Sequence, residues 1–364
     1  MRRLLALAAI VVPAAARADV DVGAAVGAGG QGDATYSALE LRLDGSWRDV
    51  RFGLGARGVW LDGDWRARDW ARPIDGLRVL RLLEASTTIA DARLALAAGG
   101  LAPAQLAHVA DGYRATLDDR PRTGVRTQLA TERLAITAEL DDVIEPGFIG
   151  GAVSLAIGDD HVGHAATAID PDGGSAIELA AARRWSRDDL RVDAGAGVVG
   201  EPSHGLHALA FGALAWDHAS TRWTIAGELR AGTGTVGGAF GPLYRIERTR
   251  LAAITGVGAG GALAVGVAGE AGWLRAGVRW RPELHGLATF EAGAPIARWL
   301  AAGAWVAASR HDLAGASELR VLWSKHIATR VELARMYLAP SDEMLEVMPY
   351  TPAWSATAWF AVSR

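Results

Sequence analysis

The stretch Pro352–Arg364, P-A-W-S-A-T-A-W-F-A-V-S-R, decides the fold. Trp354, Ala356, Ala358, Phe360 and Val362 share one parity and are all apolar. Ala353, Ser355, Thr357, Trp359 and Ala361 share the other and are mostly small or hydroxylated. Successive side chains of a strand point to opposite faces, so this pattern is a two-faced β-strand. A strand with one apolar face needs a partner along its edge. The economical partner for a last strand is the first, and that pairing closes a barrel. Val20, Val22, Ala24 and Val26 mark that first strand.

The same alternation runs through the rest of the chain. Leu39, Leu41 and Leu43 oppose Glu40, Arg42 and Asp44, and Phe52, Leu54, Ala56 and Trp60 oppose Arg51, Gly53, Gly55 and Arg57. Leu134–Leu140, Leu190–Val198, Trp223–Arg230, Leu274–Trp280, Glu318–Trp323 and Ile327–Leu333 repeat it. Each run is roughly 9 to 12 residues, the length of a tilted strand across a bilayer. The runs predict an all-β, antiparallel up-and-down barrel of about 16–20 strands, with twenty the number at which the parity closes.

Polar turns are expected at Asp44–Ser46, Ala90–Asp91, Gly158–Asp160, Arg187–Asp189, Asp217–His218 and Ser324–His326. Longer loops lie at Leu61–Gly76, Ala102–Pro121, Gly232–Leu243 and Leu338–Thr351. Short turns at one end and long loops at the other are the plan of an outer-membrane barrel. Under that plan Trp47, Trp185, Trp216, Trp223, Trp299 and Trp323 fall at the short-turn end, and Trp60 and Trp280 at the other. Two indole girdles at the bilayer interfaces follow. The uncharged run Leu251–Gly269 is long enough for a spanning helix, but six of its residues are Gly. It reads as a Gly-rich strand, or a strand and a turn.

Arg2 and Arg3, the apolar run Leu4–Ala16 and the A-x-A motif Ala16–Ala18 read as a signal peptide over residues 1–18, with the barrel occupying 19–364. The 364 residues contain no cysteine, so neither disulfides nor thiolate metal sites are available. A net charge of −4 argues against a nucleic-acid partner.

At this point the chain resembles the Gram-negative outer-membrane β-barrels, and within them the porin-like pores. The resemblance is one of pattern across the whole barrel segment. Trp354, Ala356, Ala358 and Phe360 are similar to that family's C-terminal assembly signal, except that Ala361–Arg364 follow the last aromatic. The resemblance implies integral residence in the outer membrane, contact with outer-membrane lipid, and recognition of the last strand by the assembly machinery. It leaves room for a homo-oligomer.

If the apolar faces meet lipid, the other faces line a lumen. They place Arg42, Arg51, Arg57, Arg93, Arg126, Arg191, Asp193, Glu228, Arg230, Arg275, Arg279, Glu318, Arg320, Arg330 and Glu332 there. Charges cannot face hydrocarbon cheaply, so this wall is expected to be wet or ion-paired. Same-strand neighbours such as Glu40/Arg42, Arg191/Asp193, Glu228/Arg230, Glu318/Arg320 and Arg330/Glu332 are expected to pair. The loop Ala102–Pro121 joins the fifth and sixth strands. In the general porins that connection folds inward, which would set Asp111, Asp118 and Asp119 against Arg42, Arg51, Arg57 and Arg93 as a constriction.

The expected function is a passive outer-membrane pore for small hydrophilic solutes or ions, with no cofactor, no metal and no catalytic residue. The alternative is a closed or plugged barrel with a structural or surface-interaction role. A barrel hydrolase is a weaker third reading. Ser309, His311 and Asp312 are adjacent, and neighbours on an extended chain diverge. His161/His164 and His204/His207 are spaced i, i+3, which puts them on opposite strand faces rather than around one metal. Gly256-x-Gly258-x-x-Gly261 and Gly232-x-Gly234-x-x-Gly237 match a dinucleotide fingerprint without the βαβ unit it requires.

Overall fold

Twenty-three strands follow one another: β1 (Asp19–Gln31), β2 (Ala34–Trp47), β3 (Val50–Leu61), β4 (Asp64–Trp65), β5 (Leu80–Ile89), β6 (Ala92–Gly99), β7 (Ala104–Leu106), β8 (Ala110–Tyr113), β9 (Gly124–Ala130), β10 (Leu134–Leu140), β11 (Ile149–Ile157), β12 (His161–Ile169), β13 (Ser175–Arg187), β14 (Leu190–Glu201), β15 (Gly205–His218), β16 (Thr221–Thr233), β17 (Val257–Gly269), β18 (Gly272–Trp280), β19 (Leu287–Ala297), β20 (Leu300–Ala308), β21 (Leu313–Leu322), β22 (Ile327–Leu338) and β23 (Thr351–Ser363). This computed structural model describes residues 19–31, 33–66, 70–114, 122–171, 174–201, 205–233, 240, 242–243, 257–280, 286–338 and 351–363. The expected signal peptide lies outside the described residues.

The main sheet has, among the described residues, 21 strands, one of which, β4, only folds back antiparallel on the end of β3. The other twenty pair antiparallel in chain order, and β23 returns to β1 from Gly23↔Ser363 to Gln31↔Ser355. The ring is closed, and every wall strand among the described residues has a partner on each side, which removes the exposed backbone groups that hydrocarbon cannot satisfy.

Alternation decides which side is which. Val22, Val26, Leu39, Leu41, Val153, Leu155, Leu179, Ile225, Leu229, Leu263, Val265, Val278, Leu319, Val331, Leu333 and Phe360 are large, apolar and exposed. Each shares the parity of its outward-facing strand mates. An apolar surface of this extent does not persist in water and belongs in a bilayer. Trp47, Trp185, Trp216, Trp223, Trp299 and Trp323 are exposed at the turn end, and Trp280 and Trp354 at the loop end. The chain is thus a transmembrane β-barrel that lies in an outer membrane.

Two-residue turns close several hairpins, and their first residues sit at positive φ: Arg48 (53°), Ala90 (56°), Asp188 (51°) and Ala219 (51°). That conformation matches the right-handed twist of the flanking strands. Two turns differ from the sequence expectation. Asp44–Ser46 stays in β2, whose register with β3 runs to Trp47↔Val50. Asp217–His218 likewise stays in β15, which pairs to His218↔Thr221. In both, polar residues next to a turn continue the ladder because they lie at the watery end of the wall. The run Leu251–Gly269 resolves in its described part as the strand β17.

Two segments of the loop end fold into the barrel. The hairpin β7–β8, from the connection between the fifth and sixth wall strands, places Leu106, Val109, Ala110 and Tyr113 in one apolar cluster with Phe148, Ala166, Ala168, Val199, Leu209 and Phe240. Leu243 packs with Leu287, Ala307 and Ala314 of the adjoining arc. Phe240 N–H donates to the Val109 carbonyl at 2.7 Å and so ties the two segments together.

Candidate functional site

The inner wall is built by the parity opposite to the apolar belt. Three features organise its charges. The first is glycine. Arg81 of β5 crosses β3 above Gly55, where a Cβ would come within 2.2 Å of its Cδ, and reaches Glu40 of β2 at 3.0 Å. Arg42 lies in the same way over Gly23 of β1. Long side chains thus lie flat where the neighbouring strand has none.

The second is ion pairing, both along a strand and across strands. Arg191 and Arg184 both bind Asp193, at 2.7 and 2.9 Å. Arg230 binds Glu228 at 2.9 Å, and Arg330 lies 3.8 Å from both Glu332 and Glu318. Arg126 holds Glu139 through two bonds of 2.7 and 2.9 Å. Arg51 pairs with Glu84 at 3.0 Å. Two same-strand pairs expected from the sequence, Glu40/Arg42 and Glu318/Arg320, have different partners. Glu40 goes to Arg81 and Glu318 to Arg330. The other three, Arg191/Asp193, Glu228/Arg230 and Arg330/Glu332, do pair within their strands. Arg320 stands in register with Arg330. Arg51, Arg93, Arg126, Glu84 and Gln128 line a recess of about 280 Å³.

The third is aromatic. Arg57 lies 4.9 Å from the Trp359 ring and hydrogen-bonds the Tyr36 hydroxyl, and Arg330 stacks on the same indole at 5.2 Å. Trp359 is only 4% exposed, so this inward indole is a packed anchor for two guanidinium groups.

The β7–β8 hairpin brings residues that sequence reasoning missed. His108 N–H donates to Glu178 at 2.7 Å, and its Nδ1 lies 2.9 Å from the same carboxylate. Arg230 donates to the His108 carbonyl at 2.6 Å. Arg114 pairs with Glu291 and stacks on Trp305 at 4.1 Å. Tyr113 OH donates to Asp141 at 2.7 Å. Gln105, with its amide oxygen turned to the wall, accepts from Arg275 at 2.7 Å. Arg279 lies 3.7 Å from Glu228. The contacts of the inward segments fall on the β11–β21 arc and at the base of the loop, where Arg126 donates to the Ala102 carbonyl. The backbone of Asp111 pairs with Gln105, while its side chain, Asp118 and Asp119 lie outside the described residues. Strand parity places Glu178 on the inward face, but no sequence signal marked His108 as its partner, because docking of a loop across a lumen has no periodicity.

The remaining motifs resolve as local structure. Ser309 Oγ accepts the N–H of Asp312 at 3.1 Å, which is a turn contact. His161 lies 2.6 Å from Asp160, whereas His164 bonds Ser154 at 2.9 Å. Among the described residues no group of three or more His, Asp or Glu could hold a metal. Gly258 and Gly261 lie within strand β17.

A closed wall of twenty antiparallel strands, apolar outside and charged inside, defines a porin-like integral outer-membrane β-barrel. No protein-family model matches the chain, and no curated protein matches it. Among solved structures, it is similar to Pseudomonas aeruginosa OpdK crystallised with vanillate, at 8% identity over 95% of this chain and 97% of that one, with a TM-score of 0.39. P. aeruginosa OccK5 (OpdH) matches at 11% identity over 96% and 99%, with a TM-score of 0.38. A BenF-like porin from Pseudomonas fluorescens Pf-5 matches at 10% identity over 96% and 98%, with a TM-score of 0.36.

Proposed function

We propose that the barrel is a passive pore through which small hydrophilic solutes and ions cross the outer membrane. Its chemistry is electrostatic and hydration-based, with no covalent step. One observation carries this reading: on the arc away from the docked hairpin, an inward ion pair stays open to water. The side chains of Arg51 and Glu84 keep 68% and 45% of their exposure within a 3.0 Å ion pair. Charges that are both paired and wetted polarise passing solutes without binding any of them tightly. In this reading Arg42, Arg51, Arg57, Arg93, Arg126, Arg191, Asp193, Glu228, Arg230, Arg275, Arg279, Glu318, Arg320, Arg330 and Glu332 make up the conducting wall, and the β7–β8 hairpin narrows it.

The second reading, a plugged barrel, draws on the apolar clusters formed by the hairpin and by Phe240 and Leu243 inside the wall. Planar-bilayer recording of refolded protein separates the two. Ohmic steps support the pore. A correctly folded barrel that passes no current sinks it.

A further inference from the structure

Arg335 of β22 shares the parity of Val331 and Leu333, whose side chains face the bilayer. Its register partners are Trp354 on β23 and Gly315 on β21. It lies at the loop end of the wall, level with the exposed indole of Trp354, and its guanidinium stands 5.9 Å from the centre of that ring. Among the described residues the guanidinium makes no hydrogen bond and no ion pair. A similar pair at the turn end is closed by an acid. Arg183 stacks on Trp185 at 5.3 Å and pairs with Asp160 at 3.0 Å. The acids of β21 and β22 are not available to Arg335, because Glu318 and Glu332 face the lumen with Arg330 3.8 Å from each. Strand β23 carries no acid.

Beside Arg335 the lipid face is hollow. Ala292, Ala302 and Ala304 floor a furrow of about 940 Å³ between Leu274 on one side and Leu319 and Leu333 on the other. The furrow reaches the register pair Ser317↔Leu333, two residues below Gly315↔Arg335 on the same two strands. Ser317 turns its hydroxyl onto the Leu333 carbonyl at 3.5 Å, so the one polar side chain there does not ask for water.

A guanidinium with no acid of its own, held flat by an indole at headgroup depth, matches a phosphate, which accepts two parallel N–H bonds. A hollow in a lipid-facing wall is filled by hydrocarbon, since voids forfeit contacts and nothing polar is present at that depth. The guanidinium and the hollow are contiguous along β21 and β22. One molecule with a phosphate at the outer interface and an acyl chain running toward the midplane satisfies both.

We propose that Arg335, Trp354 and the furrow on β19–β21 form a binding site for a phosphorylated lipid of the outer leaflet, with its phosphate on Arg335 and one acyl chain over Ala304. The site goes beyond the pore reading and does not depend on it.

The test is native mass spectrometry of the full barrel, refolded and delipidated in detergent, with diphosphoryl lipid A as the probe. The fraction of barrels carrying one lipid is followed against lipid concentration. Heat-resistant gel mobility confirms that each variant is folded. Arg335→Gln should weaken binding about tenfold, the size of one charge-assisted contact. Ala304→Phe, which fills the furrow and leaves Arg335 in place, should weaken it by a similar factor. Ala210→Phe, exposed elsewhere in the belt, should leave it unchanged. Dephosphorylated lipid A should bind the native barrel as weakly as the intact probe binds Arg335→Gln. Millimolar inorganic phosphate should not displace the probe, because it cannot fill the furrow. Binding that neither Arg335→Gln nor Ala304→Phe weakens overturns the site. So does displacement by inorganic phosphate alone, or a delipidated barrel that pairs with a second copy through the furrow and takes up no lipid. A barrel that passes no current yet binds the probe in this way sinks the pore and leaves the lipid site standing.

Discussion

The indole of Trp359 lies on the bare backbone of Gly27, so that a Cβ on that glycine would come within 2.8 Å of the ring. The two residues face each other across the seam where the last strand meets the first, in the register Gly27↔Trp359. Tyr36 meets the indole edge-on at 6.5 Å, and Arg57 and Arg330 stack on it. The seam is therefore fastened by packing as well as by its ladder. Gly27→Val should destabilise the barrel by about 1–3 kcal/mol through overpacking. Trp359→Ala should cost about 3–5 kcal/mol through the cavity it leaves. Urea-dependent folding into detergent micelles measures both. The double variant should lose less than the sum, because the added methyls enter the space the indole vacated. Strict additivity would mean that the contact does not fasten the seam.

Asp75 belongs to a buried ion network at the loop end. Burial alone pushes its carboxyl upward, but the backbone N–H of Arg72, then the side chains of Arg72 and Arg78, outweigh burial and hold it below the ordinary aspartate value. A depressed carboxyl stabilises the fold above the unfolded value near 3.9, and the contribution is lost as pH falls through the depressed value. The 3-10 segment Pro73–Val79 should thus stay protected at pH 7 and 5 and open in strong acid. Hydrogen exchange corrected for intrinsic rate checks this. In Asp75→Asn the segment should open to the same extent across that range.

Period-2 alternation made the wall legible, because lipid on one side and water on the other impose opposite chemistry on alternate residues. Trp47, Trp216 and Trp323 could be placed at strand ends for the same reason. Two things were not legible. Arg81 reaches Glu40 only because Gly55 leaves a gap, which no reading of β2 alone reveals. His108 meets Glu178 across a lumen, 70 residues away in sequence, and a contact of that kind follows from loop docking rather than from pattern. The constriction was expected from loop position. The described residues of that loop meet the wall through His108, Tyr113 and Arg114, while the side chains of Asp111, Asp118 and Asp119 lie outside the described residues.

Arg42, Arg51 and Arg57 lie on neighbouring strands of one arc, away from the arc on which the hairpin docks. Replacing all three with Gln removes three positive charges and leaves Glu84 without its 3.0 Å partner. In a pore, the reversal potential under a KCl gradient should move toward cation selectivity while the barrel keeps its heat-resistant mobility. In a barrel plugged by ion pairs, the same change should lower the temperature at which that mobility is lost. Unchanged selectivity in a conducting variant would remove these arginines from the path.

The pairing of β23 makes a sharp claim about where the chain can be cut. Trp359, Phe360, Ala361, Val362 and Ser363 provide five of the nine register pairs with β1, and Trp359 to Val362 also pair with β22 from Ile327 to Arg330. Deleting Trp359–Arg364 would open the edge of β1 inside the bilayer, where each unsatisfied backbone group costs several kcal/mol. Membrane assembly should fail, as judged by loss of the heat-modifiable form. Deleting only Ser363–Arg364 removes the single pair Gly23↔Ser363 at the turn end, where water and headgroups replace the lost partner. That barrel should assemble. If the longer deletion still inserts and closes, the register between the first and last strands is wrong. If the shorter one fails, Ser363 and Arg364 serve recognition during assembly rather than closure of the wall.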